Sequence, residues 1–407
     1  MRVLLINYLF SPHEAGGAER VVADLAAGLG RLGCRVLVMT AGRREEKREL
    51  PSGVSVWRIA HRSPYFNDPR QPRRTMLLRV AWRLLAVWNP WVFLKTLAVL
   101  RRFRPDVVHV HNFHGFSPAV FSAARLRRIP AVFTPCDFLA VCRRYSLYAA
   151  GRNCDRHCPA CRLWARWVSL CLGPFHLLCL SRFSRDLFLR HLRPASARVI
   201  TLPAPGTAAD IAAARVWRRR QENKRRTVFL FLGRLSDLKG IPWLLESFPG
   251  ALPAPALILI AGDGPLRPQV EEACRRQPRI FKFLGRVDGE RKRRLLLASD
   301  VLLCLSAAGD MSPLVIAEAF ACGMPVIASA AGAMPERVVD GETGWLVPHG
   351  SRAGLVAAVR AACAERSALE ERRGCCLRAA QASDRDRYLA AVLEGLRQAA
   401  GQRPSTG

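Results

Sequence analysis

The stretch that most constrains this chain is Ala308 to Ser329, AGDMSPLVIAEAFACGMPVIAS. It reads as a loop, a short helix and a strand in succession. Asp310 sits in the loop, Ser312 offers an N-cap hydroxyl, and Pro313 suits the first helical position, where an N–H would have no partner anyway. Leu314 to Cys322 carries the helix, Gly323 stops it and Pro325 opens the strand PVIAS. Glu318 then lies about a turn and a half inside the helix, roughly 7 Å along its axis. The first-turn N–H groups, those of Leu314 and Val315, have no intrahelical acceptor and form an anion site. A phosphate fits there, with a carboxylate on either side to take hydroxyl protons from a sugar. The plain alternative is a solvated acid before an ordinary amphipathic helix.

A chain of 407 residues has room for two domains with sizeable cores, and its composition is that of an α/β protein. The formal net charge of +31 favours anionic membrane surfaces, phosphorylated substrates or nucleic acid. Lysine stands only at positions 47, 95, 224, 239, 282 and 292. So heavy an arginine preference is also what a biased genome produces, and the charge is weak evidence by itself. Fourteen cysteines, several in apolar strands and helices, suggest a reducing compartment. The opening MRVLLINYLF has too short an apolar run for a signal peptide and reads as a first buried strand. These features place the chain in the cytoplasm, with a peripheral position on the inner face of the cell membrane as an added expectation.

In the first half, a strand at Arg2–Tyr8 runs into the loop SPHEAGGAE and a helix from Ala18 to Leu32. Gly16 and Gly17 let the backbone approach a ligand at the edge of a parallel sheet. The alternative is a glycine pair with no ligand. The spacing is not GxGxxG and no acidic residue closes the next strand, Arg35–Thr40, so a nicotinamide enzyme is disfavoured. Gln71 to Arg104 mixes apolar and basic side chains. Arg79, Arg83, Lys95 and Pro90 argue against a spanning helix. Trp82, Trp88, Trp91 and Phe93 suit an interfacial segment on an anionic membrane; two core-packed helices with basic outer faces fit as well. The strand DVVHVH brings His109 and His111, with His114 after it, either as metal ligands or as lining of a cleft. A further strand, Ala131–Thr134, ends at Cys136 and Asp137. Cys142, Cys154, Cys158 and Cys161 have the spacing of a structural zinc clasp, with His157 as a substitute ligand; a disulfide or free thiols are the other readings.

The basic stretch Pro203 to Arg226 reads as a linker. The resulting division is 1–203, a linker over 204–226, a second domain over 227–380, and a C-terminal helix and tail over 381–407. The second domain opens on the strand Thr227–Leu232, followed by GRLSDLKG. After Gly233, Arg234 and Lys239 place two cations on a strand-to-helix loop, which suits a diphosphate. GRVDG after the strand Ile280–Leu284 puts Val287 near a base. Asp384-Arg385-Asp386 spells DxD, but on a helix start it is capping chemistry.

Laid out in order, FLGRLSDLKG, IAGDGP, FLGRV and SPLVIAEAFACGMPVIAS, with GGAE and DVVHVHN before them, resemble glycosyltransferase family 4 over nearly the whole chain. The resemblance implies the GT-B fold, two Rossmann-like domains facing a central cleft, and retaining transfer from a nucleotide-sugar donor. It implies that Arg234 and Lys239 hold the donor diphosphate, Glu318 takes ribose hydroxyls, Asp310 contacts the donor sugar, and Gly16 and Gly17 lie at the donor–acceptor junction. His111, Cys136 and Asp137 fall on the acceptor or sugar side. The acceptor would be a glycan or lipid-linked, in cell-surface polysaccharide or glycolipid synthesis. No cofactor is required if the cations neutralise the diphosphate. Two positions depart from the family: Asp310 stands where a glutamate is usual, and Cys136 where a histidine is usual. Cysteine cannot replace imidazole as a strong donor. These departures keep an inactive donor-binding relative in play. A nucleic-acid binder lacks interleaved aromatics on one basic stripe. A glycoside hydrolase could use paired carboxylates but would leave the cation pair without a purpose.

Overall fold

The structure, a computed structural model, describes residues 1–11, 17–60, 85–149, 152–154, 156–203, 226–248, 252, 255–307, 310–364, 366–383 and 385–401. Gly16, Arg79, Trp82, Arg83, Ala308, Asp384 and most of the linker lie outside the described residues.

Apolar runs in the first part form β1 (Arg2–Asn7), β2 (Arg35–Gly42), β3 (Glu46–Glu49), β4 (Ser55–Ala60), β5 (Val107–Asn112), β6 (Ala131–Phe133), the hairpin β7 (Tyr148–Ala149) and β8 (Arg152–Asn153), β9 (His176–Cys179) and β10 (Ser196–Val199). Except for the hairpin they make one sheet in the order β10-β9-β6-β5-β1-β2-β4-β3. The pairs are parallel apart from β3 with β4. Helices α1 (Gly17–Arg31), α2 (Pro90–Phe103), α3 (Ala119–Leu126), α4 (Pro159–Leu172) and α5 (Arg182–Leu189) accompany it. Val3 to Ile6 are fully buried because a parallel sheet covered on both faces wants continuous rather than alternating hydrophobics.

The second part repeats the scheme with β11 (Thr227–Leu232), β12 (Ala256–Ala261), β13 (Phe281–Gly285), β14 (Val301–Cys304), β15 (Val326–Ser329) and β16 (Gly344–Val347). Their order is β13-β12-β11-β14-β15-β16, all parallel. The helices here are α6 (Ile241–Ser247), α7 (Arg267–Arg276), α8 (Gly289–Ala298), α9 (Leu314–Ala321), α10 (Met334–Arg337), α11 (Arg352–Ala364) and α12 (Arg366–Ala382). Strand order reverses between β11 and β14 here, and between β1 and β5 in the first sheet. Ligands of doubly wound sheets bind outside the carboxyl ends of the strands at such points.

The final helix, α13 (Arg385–Ala399), does not stay with the second sheet. Tyr388, Leu389, Val392, Leu393, Leu396 and Ala399 share a buried cluster with Val3, Leu5, Val22, Leu25 and Leu178 of the first domain. Each fully buried Leu or Val there contributes about 1.5–3 kcal/mol. Close approach explains two glycines. A Cβ on Gly28 would come 2.4 Å from Leu389 Cδ2, and one on Gly395 3.0 Å from Leu178 Cδ2. The chain therefore crosses between the domains twice.

The Gln71–Arg104 segment is described from residue 85 onward. Asn89 caps α2 by accepting from Val92 N at 3.1 Å, and Pro90 starts the helix rather than breaking it. Val92, Thr96, Val99, Leu100 and Phe103 are buried. Trp88 packs against Phe93 with ring centroids 5.2 Å apart and tilted by 40°, and Trp91 Nε1 donates to the Ala60 carbonyl at 3.2 Å. These aromatics are half-buried against the core. They do not project as the interfacial reading expected, because the helix needs its apolar side to cover the sheet.

Candidate active site

At the reversal of the second sheet, β11 delivers Gly233 and Arg234 into a loop closed by a single 3-10 turn, Asp237–Lys239. Gly240 ends that turn at φ 77°, and a Cβ there would sit 2.1 Å from the Leu305 carbonyl oxygen. Only glycine tolerates both the left-handed backbone and that approach. The turn is thus seated on the exit of β14, and this aims Lys239 at the loop after β14. Lys239 Nζ donates to Asp310 Oδ2 at 2.5 Å. Burial pulls the Lys239 ammonium down, but the charge and hydrogen bond of Asp310 outweigh it and hold it above its ordinary value. The side chains remain 38% and 23% exposed, so the pair contributes little to stability, about 1 kcal/mol at most. Its cation and carboxylate are available to a ligand. Arg234 is exposed and makes no ion pair among the described residues.

The Asp310 loop leads into α9. Pro313, not Ser312, occupies the N-cap, and no side chain caps the helix. The Ser312 hydroxyl instead accepts from Arg337 Nη2 at 2.8 Å. The expected serine cap is replaced because a half-buried guanidinium competes for the hydroxyl. With no side chain on them, the first-turn N–H groups of Leu314 and Val315 stay open to an anion. Gly323, at φ 59°, stops the helix as expected.

Glu318 is only 7% exposed on α9, and its Oε1 accepts from Lys292 Nζ of α8 at 2.6 Å. Sequence reasoning missed Lys292. One signal was present: it is one of six lysines in an arginine-rich chain, and it sits amid RKRR. Both carboxylates flanking the helix start are therefore held by lysines. Val287 is buried in the cluster containing Ile316 and Phe320, beneath α9.

Across the cleft, Gly17 begins α1, and a Cβ on it would lie 3.2 Å from Leu314 Cδ2. Gly17, at the start of α1, thus packs against the start of α9. His111 lies near the end of β5 at 2% exposure, and neither ring nitrogen has a hydrogen-bond partner among the described residues. Burial pushes it down to about 3, so the ring is neutral. His109 packs on it with ring centroids 4.1 Å apart, and its Nε2 is hydrogen-bonded to Thr134 Oγ1 at 2.8 Å. Asp137 accepts from Leu139 N at 2.8 Å and from Asn112 Nδ2 at 3.1 Å. Burial nevertheless pushes its carboxyl up to about 6. Cys136 lies beside it, its Sγ 3.7 Å from the Thr134 carbonyl oxygen. Burial, then the charges of Asp137 and Glu19, keep that thiol protonated. Glu19, at the start of α1 and 8% exposed, is the acid of GGAE.

A model described as "Glycosyltransferase Family 4" matches residues 15–205, and one described as "Glycosyl transferases group 1" matches residues 226–365. The chain belongs to glycosyltransferase family 4. Among curated relatives it is 27% identical to a glycogen synthase of Mycobacterium tuberculosis, covering 91% of this chain and 88% of that one. The sucrose-phosphate synthase from Thermosynechococcus elongatus superposes with a TM-score of 0.75 at 19% identity, over 98% of each chain. HepE from Anabaena, solved with UDP-glucose, gives 0.66 at 19% identity, over 98% of this chain and 100% of that one. These neighbours establish the GT-B fold, and the protein is a glycosyltransferase.

Further contacts in the glycosyltransferase join its two domains. Glu336 of α10 accepts from Arg182 N at 2.7 Å and Phe183 N at 2.6 Å, placing a carboxylate on the N-terminus of α5 in the other domain. Arg337 reaches the Leu202 carbonyl at 3.4 Å besides Ser312. In the cysteine segment, Cys142 and Cys161 are buried with their sulfurs 3.9 Å apart. Cys158 occupies the N-cap position of α4 without a side-chain cap bond, and Cys154 follows the β7–β8 hairpin; both are exposed. Among the described residues no three His, Cys, Asp or Glu side chains are grouped so as to hold a metal ion. The Cys154 N–H is bonded to the Leu147 carbonyl at 2.8 Å.

Proposed function

We propose that this glycosyltransferase uses a nucleotide-sugar donor and transfers the sugar with retention of configuration to a glycan or lipid-linked acceptor. The observation that carries this reading is the pair of lysine-held carboxylates, Lys239–Asp310 and Lys292–Glu318, on either side of the open α9 start. The UDP-glucose held by the Anabaena neighbour supports the donor class.

In this reading the donor diphosphate lies against Arg234, Lys239 and the N–H groups of Leu314 and Val315. Lys239 exchanges Asp310 for a phosphate oxygen, which leaves Asp310 to accept a hydroxyl of the donor sugar. Glu318, steadied by Lys292, accepts from the ribose hydroxyls. As the bond from the anomeric carbon to the diphosphate breaks, charge grows on the leaving oxygen. The cations and the helix start stabilise that charge more in the transition state than in the ground state. The acceptor hydroxyl attacks from the leaving-group side, and its proton passes to the departing phosphate oxygen. The neutral His111 and the Asp137 carboxyl line the opposite wall and orient the acceptor. An acceptor carried on a lipid would bring the enzyme to a membrane surface. No helix among the described residues is long and apolar enough to cross one.

A nucleotide-sugar panel read by thermal shift and by release of nucleoside diphosphate tests this. One or more donors should raise the melting temperature by mass action. Lys239→Ala and Glu318→Ala should each lower kcat/KM, a lost charged hydrogen bond being worth about 1.5–3 kcal/mol. Unchanged kcat/KM in both variants with every accepted donor would reject the assignment.

A further inference from the structure

Six of the large hydrophobic side chains left exposed lie on or beside α2, α3 and α4 of the first domain: Leu85, Leu94, Leu126, Leu163, Trp167 and Leu170. Leu163 and Leu170 are 71% and 68% exposed. With Trp167 they stand at i, i+7 and i+4 on α4, one apolar stripe on a helix whose other side packs into the core through Trp164 and Val168. Hydrogen bonds tie the neighbouring elements into one face. Trp167 Nε1 donates to the Val87 carbonyl at 3.1 Å, Trp88 Nε1 to Ser122 Oγ at 3.4 Å, and Arg125 Nη1 to the Leu170 carbonyl at 3.2 Å.

The charges on this face have one sign. Helices α2, α3 and α4 contain no Asp or Glu, while Arg101, Arg102, Arg125, Arg162 and Arg166 are exposed on them, with Arg127 and Arg128 just beyond α3. Lys95 of α2 is paired with Glu45 at 2.5 Å. At the end of α4 an open groove of about 400 Å³ runs between Arg125 and Arg193, floored by Leu170, Gly173 and Ala195. Leucines and a tryptophan among arginines that make no ion pair among the described residues match a surface with anionic headgroups outside and hydrocarbon beneath. A second copy of this chain is the poorer match, since two-fold pairing would set these arginines against one another.

We propose that the α3–α4 face, with Leu163, Trp167 and Leu170 inserted and Arg125, Arg162 and Arg166 on the headgroups, is the site at which this enzyme docks on an anionic lipid bilayer. It deepens the lipid-linked branch of the function above. The test needs no donor, so the two readings fail separately. The full chain is co-sedimented with vesicles of phosphatidylcholine alone or mixed with phosphatidylglycerol. Binding should require the anionic lipid and fall, without vanishing, as salt rises, because only its charged part is screened. Leu163→Glu/Leu170→Glu and Arg162→Glu/Arg166→Glu should each weaken it by about tenfold or more, while Leu32→Glu, an exposed leucine elsewhere, should not. Circular dichroism must match wild type for every variant. Absence of binding to anionic vesicles, or wild-type binding by both double variants, would overturn the proposal. So would a concentration-dependent dimer that Leu163→Glu/Leu170→Glu abolishes while vesicles stay unbound.

Discussion

Replacing Lys292 by methionine keeps most of the side-chain volume and removes the charge that Glu318 faces. The carboxylate would be left with 8% exposure on its side chain and no cation at 2.6 Å. Removing one partner of a wholly buried pair costs roughly 3–5 kcal/mol. Pairs at the open surface are worth about 0.2–1 kcal/mol. Lys292 is 23% exposed, so water can reach part of the gap, and a loss of about 2 kcal/mol is expected. For a unit of this size that is a fall of about 4–8 °C in the transition that reports the second domain. Glu318→Gln added to Lys292→Met should recover much of it, because a neutral amide tolerates the site better than an unpaired carboxylate. The coupling in this double-mutant cycle should be about 1–2 kcal/mol. Thermal and denaturant unfolding of wild type, both single variants and the double variant measure it. Lys292→Met should also raise the donor KM, since Glu318 would no longer be steadied for the ribose. A melting transition unmoved by Lys292→Met, together with zero coupling, would refute the claim that this pair organises the donor side.

Other consequences follow from the same geometry. The Asp137 carboxyl, raised by burial to about 6 against an ordinary 3.8, binds its proton more tightly folded than unfolded. Its contribution to stability is therefore full below about pH 4 and is lost as pH rises through 6; chemical denaturation should show the wild-type advantage over Asp137→Asn shrinking by roughly 1–3 kcal/mol between those limits. Glu336→Ala, which uncovers the N-terminus of α5, should cost about 1 kcal/mol and widen the distribution of interdomain distances seen by small-angle scattering. Gly17→Val, crowding Leu314 from 3.2 Å, should raise KM for donor or acceptor while leaving the melting temperature nearly unchanged. Transfer should continue in the presence of EDTA if Arg234 and Lys239 alone balance the diphosphate; abolition restored by a divalent cation would contradict that.

Local features of the chain carried much of this protein. The strand-to-loop-to-helix runs and Gly323 can be read from neighbours a few residues apart, because period and punctuation are local properties. So can the placement of Glu318 inside a helix that begins near Asp310, a matter of helical pitch. What joined distant segments could not be read that way. Lys292 lies 26 residues from Glu318, and being the one lysine of RKRR does not say which carboxylate it meets. Ser312 has the sequence of a cap, yet its hydroxyl is taken up by Arg337, 25 residues on. Helix α13 looked like a tail, yet its apolar stripe completes the core of the first domain, since that is where an uncovered sheet face was left. Trp88 and Trp91, near α2, read as surface anchors, yet packing leaves them half-buried and Leu163 and Leu170 outside. Which side of an amphipathic helix meets a sheet, and which cation meets a carboxylate, is settled by burial and charge across the closed chain.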